Sequence, residues 1–164
     1  MPLRIAPARP QDVPVVLELI RALAEYEKLL DEVSATEAAL HDNLFGTQRY
    51  AEALIAWSGD SAAGFALYFH NFSTFLAKPG VYLEDLFVRP AFRSHGIGKA
   101  LLAEVARIAK QRGCGRLEWS VLNWNEPAIR FYRSLGAVTM SDWTINRVTG
   151  KTLDALAGQV ISRS

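Results

Sequence analysis

The sequence predicts a mixed α/β fold, a mixed sheet flanked by helices. Two apolar runs joined by a polar turn come early, in the manner of a hairpin. Strand and helix patterns then alternate as far as Ile145, which favours parallel pairing later on. Three of the predicted helices carry an apolar stripe at helical spacing, so each of these has a face to bury.

Taken in order, Leu3 to Ala6 reads as a short strand that Pro7 to Pro10 turns. Asp12 begins an amphipathic helix with Val15, Val16, Leu19, Ile20 and Leu23 on its apolar face. Ser34-Ala-Thr-Glu37 has capping-box spacing and predicts a second helix, which Gly46 ends. Tyr50 to Trp57 and Ala63 to Phe72 are strands joined at Ser58-Gly59-Asp60-Ser61. Val81 to Val88 is a central strand that feeds a glycine-bearing turn and then a helix striped by Leu101, Leu102, Val105, Ala106 and Ile108. A strand at Arg116 to Leu122 follows, then a helix capped by Asn125 and ended by Gly136. Val138 to Ile145 predicts one more strand.

The turn is the first functional signal. A strand running into glycines and a helix N-terminus gathers backbone N–H groups that can hold a diphosphate without charged side chains. Arg93-x-x-Gly96-x-Gly98 is neither the dinucleotide fingerprint nor a P-loop, because no Gly-Lys-Ser/Thr follows at the required spacing. The second signal is Trp124-Asn-Glu-Pro-Ala-Ile-Arg-Phe-Tyr-Arg-Ser-Leu-Gly-Ala137. Its Ala128, Phe131, Tyr132 and Leu135 share a helix face, and a phenol beside a buried stripe needs a polar partner.

Together the two motifs resemble motifs A and B of the GNAT acetyltransferase superfamily. The strings Tyr82-Leu-Glu-Asp85 and Trp124-Asn-Glu-Pro127, with Leu23-Ala-Glu-Tyr-Glu27 upstream, are similar to its diamine (spermidine/spermine) acetyltransferase branch. The resemblance runs from the first strand to about Ala137. It implies the GNAT fold, a mixed and mostly antiparallel sheet whose two central parallel strands, here Val81–Val88 and Arg116–Leu122, splay apart to admit the pantetheine arm of acetyl-CoA. The backbone of Leu86, Phe87 and Val88 would then pair with pantetheine as an added strand. The turn residues Arg93, Ser94, His95, Gly96, Ile97, Gly98 and Lys99 would hold the diphosphate, and Asn125, Glu126, Pro127 and Ala128 would line the coenzyme. Ser94 stands where that branch often has glycine, which restricts the turn.

Acyl transfer to an amine needs two proton movements. An ammonium has no free lone pair and must lose a proton; the departing thiolate must gain or be stabilised by one. By resemblance Tyr132 is the acid. Glu84 is the candidate for deprotonation, through water, because acids in so apolar a strand are costly unless paired or placed in a wet cleft. Neighbours on a strand point to opposite faces, so Asp85 reads as structural or secondary. Tyr26, Glu27 and Asp142 are carried over as substrate contacts, with Glu84 joining them in an acidic cleft. Thr74 replaces an aspartate of the mammalian polyamine enzymes and Lys78 is close by, which favours a short diamine, thialysine or a lysine-like amine over long tetra-amines. An acyl-CoA-binding sensor without turnover is the non-enzymatic alternative, and a peptide acetylator a third.

Bulk properties are consistent with this reading. The 164 residues suit a single domain, residues 1–164, with a net charge of +1 that gives no electrostatic case for nucleic acid or an anionic membrane. Cys114 is the sole cysteine, so no intrachain disulfide or cysteine-based cluster forms, and it carries no acyl intermediate. His41, His70 and His95 lack metal-ligand spacing, so no metal is expected, and His70 reads as an ordinary hydrogen-bonded histidine. No signal peptide or membrane-length apolar run is visible, which makes cytoplasm the default. The resemblance implies a homodimer in which Val138 to Ile145 pairs between subunits.

Overall fold

The computed structural model describes residues 2–161. They divide into two compact units, one reaching Ser120 and the other starting at Val121. The first unit holds β1 (Leu3–Pro7), α1 (Val13–Tyr26), α2 (Glu37–Phe45), β2 (Glu52–Ser58), β3 (Ser61–Ser73), β4 (Lys78–Val88), α3 (Ile97–Gln111) and β5 (Leu117–Trp119). The strands form one sheet in the order β1-β2-β3-β4-β5. The first three pairings are antiparallel; β4 and β5 are parallel, as their connection through α3 requires.

The core lies on both faces of this sheet. On one face, Leu19 of α1 meets Phe65 and Phe87, and Val16 with Leu44 of α2 covers Ala53 and Ile55. On the other, α3 packs across β2, β3 and β4 with Ile97, Leu101, Leu102, Val105 and Ile108 buried. The two-sided burial explains why β2 reads as an unbroken apolar run and not an alternating one. Asp12 closes the turn after β1, its carboxylate accepting from the Arg9 backbone N–H at 2.8 Å.

Three expectations need correction. The cap of α2 is Thr36, whose hydroxyl accepts from the Ala39 N–H at 3.1 Å, and not Ser34; Glu37 is therefore the first helical residue. Both residues are acceptable caps, and spacing alone preferred the wrong one. The strand after α3 is confined to Leu117–Trp119, because only Leu117, Glu118 and Trp119 find partners on β4. In the second unit, which contains α4 (Glu126–Ser134) and α5 (Gly150–Ala157), Val138 to Ile145 is not a strand. Val138, Met140, Trp143 and Ile145 are exposed, and an alternating apolar segment without a neighbouring strand has no ladder to join. The helix α5 was not anticipated.

Candidate active site

In the first unit the site is organised by an irregularity in β4. Leu67 pairs with Asp85 and Tyr68 with Leu83, so Glu84 is one residue too many for its partner strand. This is a β-bulge, and it resets the side-chain alternation. Beyond it Asp85 faces the same side as Phe87, toward α1, while Leu83 lies with Tyr68 on the α3 side. Glu84 itself is exposed. Asp85 thus lies on the α1 side, while Glu84, the inserted residue, has no partner on β3.

The consequence is electrostatic. Burial pushes the Asp85 carboxyl up to about 7, and the negative charges of Glu84 and Glu27 add to the effect. Glu27, the C-cap of α1, is also raised by burial. The first unit thus brings Glu27, Glu84 and Asp85 into one field, and the residue read from sequence as structural or secondary is the one whose carboxyl rises to about 7. An acid embedded in an apolar strand was a visible signal; which of two adjacent acids turns inward was not.

Beside these acids, the Tyr26 and Phe87 rings lie 6.4 Å apart. The Arg93 guanidinium sits over Tyr26 at 4.6 Å from the ring centre and over Phe87 at 5.7 Å. Its Nε donates to the Val88 carbonyl at 2.9 Å. Arg93 therefore reaches from the turn back to the Tyr26 end of the cleft, a placement that its position in a phosphate-type motif did not suggest.

The same segment exposes a backbone edge. The Arg89 N–H donates to the Ala63 carbonyl at 2.8 Å, so Arg89 and, two residues back, Phe87 direct their polar backbone groups to β3. Leu86 and Val88 direct theirs away from it. Among the described residues β5 pairs with β4 only at Val81–Leu83, and that side of β4 is unpaired from the bulge onward. The pairing of the two parallel strands stops there, because β5 ends at Trp119. Phe87 must be removed from the set whose backbone could receive an added strand, since its own groups are committed to β3.

The turn after β4 is built for a left-handed bend. Ser94 has φ 67° and Gly96, the N-cap of α3, φ 78° and ψ 10°. Glycine adopts this region without penalty, whereas serine at position 94 does so at a cost of roughly 1 kcal/mol. A Cβ placed on Gly96 would meet no atom within 4 Å, so the space before the helix N-terminus is open. Ile97 is buried and anchors the helix, while His95 bonds back through Nδ1 to the Phe92 carbonyl at 3.3 Å. Lys99 is exposed.

The second unit holds the other motif. Asn125 is buried and caps α4, accepting from the Ala128 N–H at 3.4 Å, with Pro127 in the first turn. Gly136, at φ 92°, ends the helix: its N–H donates to the Arg133 carbonyl and that of Ala137 to the Tyr132 carbonyl. Ala128, Ile129, Phe131 and Tyr132 form the half-buried face of α4, with the Phe131 and Tyr132 rings 5.4 Å apart, while Glu126 is exposed. Asp142 is exposed in the segment between α4 and α5.

His70 lies apart from these acids. Arg112 at the end of α3 grips both Glu52 oxygens, at 2.6 and 2.8 Å, and approaches His70 Nε2 at 3.4 Å. Glu52 is held below the usual carboxylate range mainly by the Arg112 hydrogen bond. His70 thus belongs to an ion-paired clamp between α3 and the sheet, the ordinary role expected of it.

The acetyltransferase (GNAT) family model matches residues 17–137. The chain is 36% identical to thialysine N-epsilon-acetyltransferase of Bos taurus, over 94% of its own length and 97% of that protein. It is 34% identical to spermidine/spermine N(1)-acetyltransferase-like protein 1 of Homo sapiens, over 84% of this chain but 21% of that one. An integron cassette protein of the V. cholerae mobile metagenome has a similar structure, with TM-score 0.80, 28% identity and coverage of 96% and 98% of the two chains.

Proposed function

Because the chain belongs to the acetyltransferase (GNAT) family, we propose that it acetylates the side-chain amine of a lysine-like amino acid such as thialysine, ahead of a diamine or polyamine. As an acetyl-CoA-dependent N-acetyltransferase it uses acetyl-CoA as donor and a small amine as acceptor. The observation that carries the substrate choice is the end-to-end similarity to a thialysine enzyme, against a match to a fifth of the polyamine-type protein. Thr74 and Lys78 support it, since a long polycation gains from acids and loses from a cation along its path. The diamine reading suggested by the motifs alone becomes the second choice.

In this reading the whole chain acts as one catalytic domain, supported by a family match that runs across the boundary at Ser120. Leu86 and Val88 offer pantetheine an unpaired strand edge, and the N–H groups of residues 94 to 99 receive the diphosphate. Val88 must exchange its Arg93 hydrogen bond for one to the ligand, which frees the Arg93 cation to turn toward the phosphates. Asn125 to Ala128 line the coenzyme; Tyr26, Glu27 and Asp142 meet the amine. Glu84, at the exposed side of the bulge, moves a proton to water, and Tyr132 protonates the departing sulfur. Two copies of the chain pair through the tail, a role for the exposed Val138, Met140, Trp143 and Ile145.

A panel of thialysine, lysine, ornithine, putrescine and spermidine, read by coenzyme A release, tests the substrate. The kcat/KM for thialysine should exceed that for spermidine by about tenfold or more, a discrimination of ~1.4 kcal/mol. A preference for spermidine would restore the diamine reading, and no release with any amine would remove small-amine transfer altogether. Gly96→Ala tests the turn. The positive φ should cost roughly 1–2 kcal/mol of stability. Acetyl-CoA affinity, measured calorimetrically, should fall further, because the new methyl enters the space the diphosphate needs.

A further inference from the structure

We propose that Asp85, and not Glu84, is the base that takes the proton from the attacking amine, with Glu84 passing it on to bulk water. The assignment rests on the amine-transfer reading above and adds to it which carboxylate does the work. The bulge is the first support: it turns Asp85 inward on the α1 side of the sheet and leaves Glu84 exposed. The unpaired edge of β4 is the second and is independent of the acids. It begins immediately after Asp85, so an acyl carrier seated on Leu86 and Val88 ends beside that side chain.

The groups facing Asp85 fit the task. Glu84 comes from its own strand and Glu27 from the end of α1, while β3 presents Leu67. Burial, with two neighbouring carboxylates adding to it, makes Asp85 a stronger base than an ordinary aspartate, with its carboxyl at about 7. That is the range in which a group both holds and releases a proton at neutral pH. Glu84 is exposed and in reach of bulk water.

The proton balance is complete. The ammonium loses one proton to the Asp85 carboxylate and its freed lone pair forms the C–N bond. The C–S bond breaks as the tetrahedral adduct collapses, and the sulfur takes a proton from a phenol. The new amide nitrogen loses its second proton, which restores the phenol. One proton per turnover remains on Asp85 and leaves through Glu84 and water.

The test compares pH profiles of kcat/KM for the wild type, Asp85→Asn and Glu84→Gln with thialysine as acceptor. The wild type should rise through an inflection near pH 7. Asp85→Asn should lose that inflection and about 10²-fold or more of its rate at neutral pH, recovering toward high pH as the amine deprotonates by itself. Glu84→Gln should keep the inflection with a loss of about tenfold or less. A burial-raised carboxyl stabilises the fold below its unfolded value of 3.8 and loses that contribution as pH rises toward 7. Asp85→Asn should therefore melt higher than the wild type at pH 8 and not at pH 4, which also shows that it folds. In wild-type protein the Asp85 carboxyl carbon should titrate near neutrality by NMR. Titration below about 5, an unchanged profile in Asp85→Asn, or an inflection lost in Glu84→Gln overturns the assignment. A wild type inactive on every amine instead overturns the transfer reading on which it rests.

Discussion

Replacing Tyr132 with phenylalanine is expected to lower kcat by about 10²- to 10⁴-fold, the usual worth of a positioned general acid, while acetyl-CoA affinity changes by a factor of a few. The substitution is narrow. The ring that faces Phe131 at 5.4 Å is kept, as are the Asn125 cap and the Gly136 terminus. The hydroxyl is lost, and with it, in the proposed reading, the proton that meets the departing sulfur. The thiolate then leaves unprotonated, at a cost that depends on how basic it is. An acetyl donor with a more acidic thiol should narrow the gap between Tyr132→Phe and the wild type. Steady-state kinetics with both donors separates this role from a packing role, which would depress both donors equally. Unchanged kcat removes the acid assignment.

The contrast between what could and could not be read from sequence is physical. Helical stripes such as Val16, Leu19 and Leu23, or Leu101, Leu102, Val105 and Ile108, declare buried faces because a helix returns to its starting side every 3.6 residues. Caps and termini at Asn125 and Gly136 are local chemistry and were legible for the same reason. The bulge at Glu84 was not, since an inserted residue is defined by a partner strand some fifteen residues away in the chain and leaves the string Leu-Glu-Asp-Leu unchanged. Hence the sequence identified an acidic pair, with Glu84 as the candidate base and Asp85 as structural or secondary, but not the bulge that sets their exposure. The tail failed differently. Val138 to Ile145 has the composition of a strand, but β-pairing depends on what lies alongside, and alternation cannot name the neighbour. Arg93 was recognised by its motif, yet its reach to Tyr26 follows from side-chain length and the course of the turn, which no spacing encodes.

Gly64→Val should be the most damaging single change to the scaffold that carries the cofactor edge. Gly64 lies opposite Val88, and a Cβ there would stand 2.4 Å from the Phe87 carbonyl oxygen and 3.1 Å from the Val88 Cα. Both obstacles are backbone, so no side chain can rotate out of the way and β3 must separate from β4. Overpacking of this kind costs about 1–3 kcal/mol or more, and each kcal/mol lowers the melting midpoint by roughly 2–4 °C in a chain of this size. The displaced backbone is also the one whose opposite side is proposed to offer Val88 to pantetheine, so in that reading acetyl-CoA affinity should fall more than stability does. Gly113→Ala provides the control. It places a methyl in open space at φ 72°, so it carries strain of roughly 1–2 kcal/mol but no clash, and coenzyme affinity should not change. Equal effects of the two substitutions on affinity would mean that the β3–β4 ladder does not position the edge, and the coenzyme would have to be held by the turn before α3 alone.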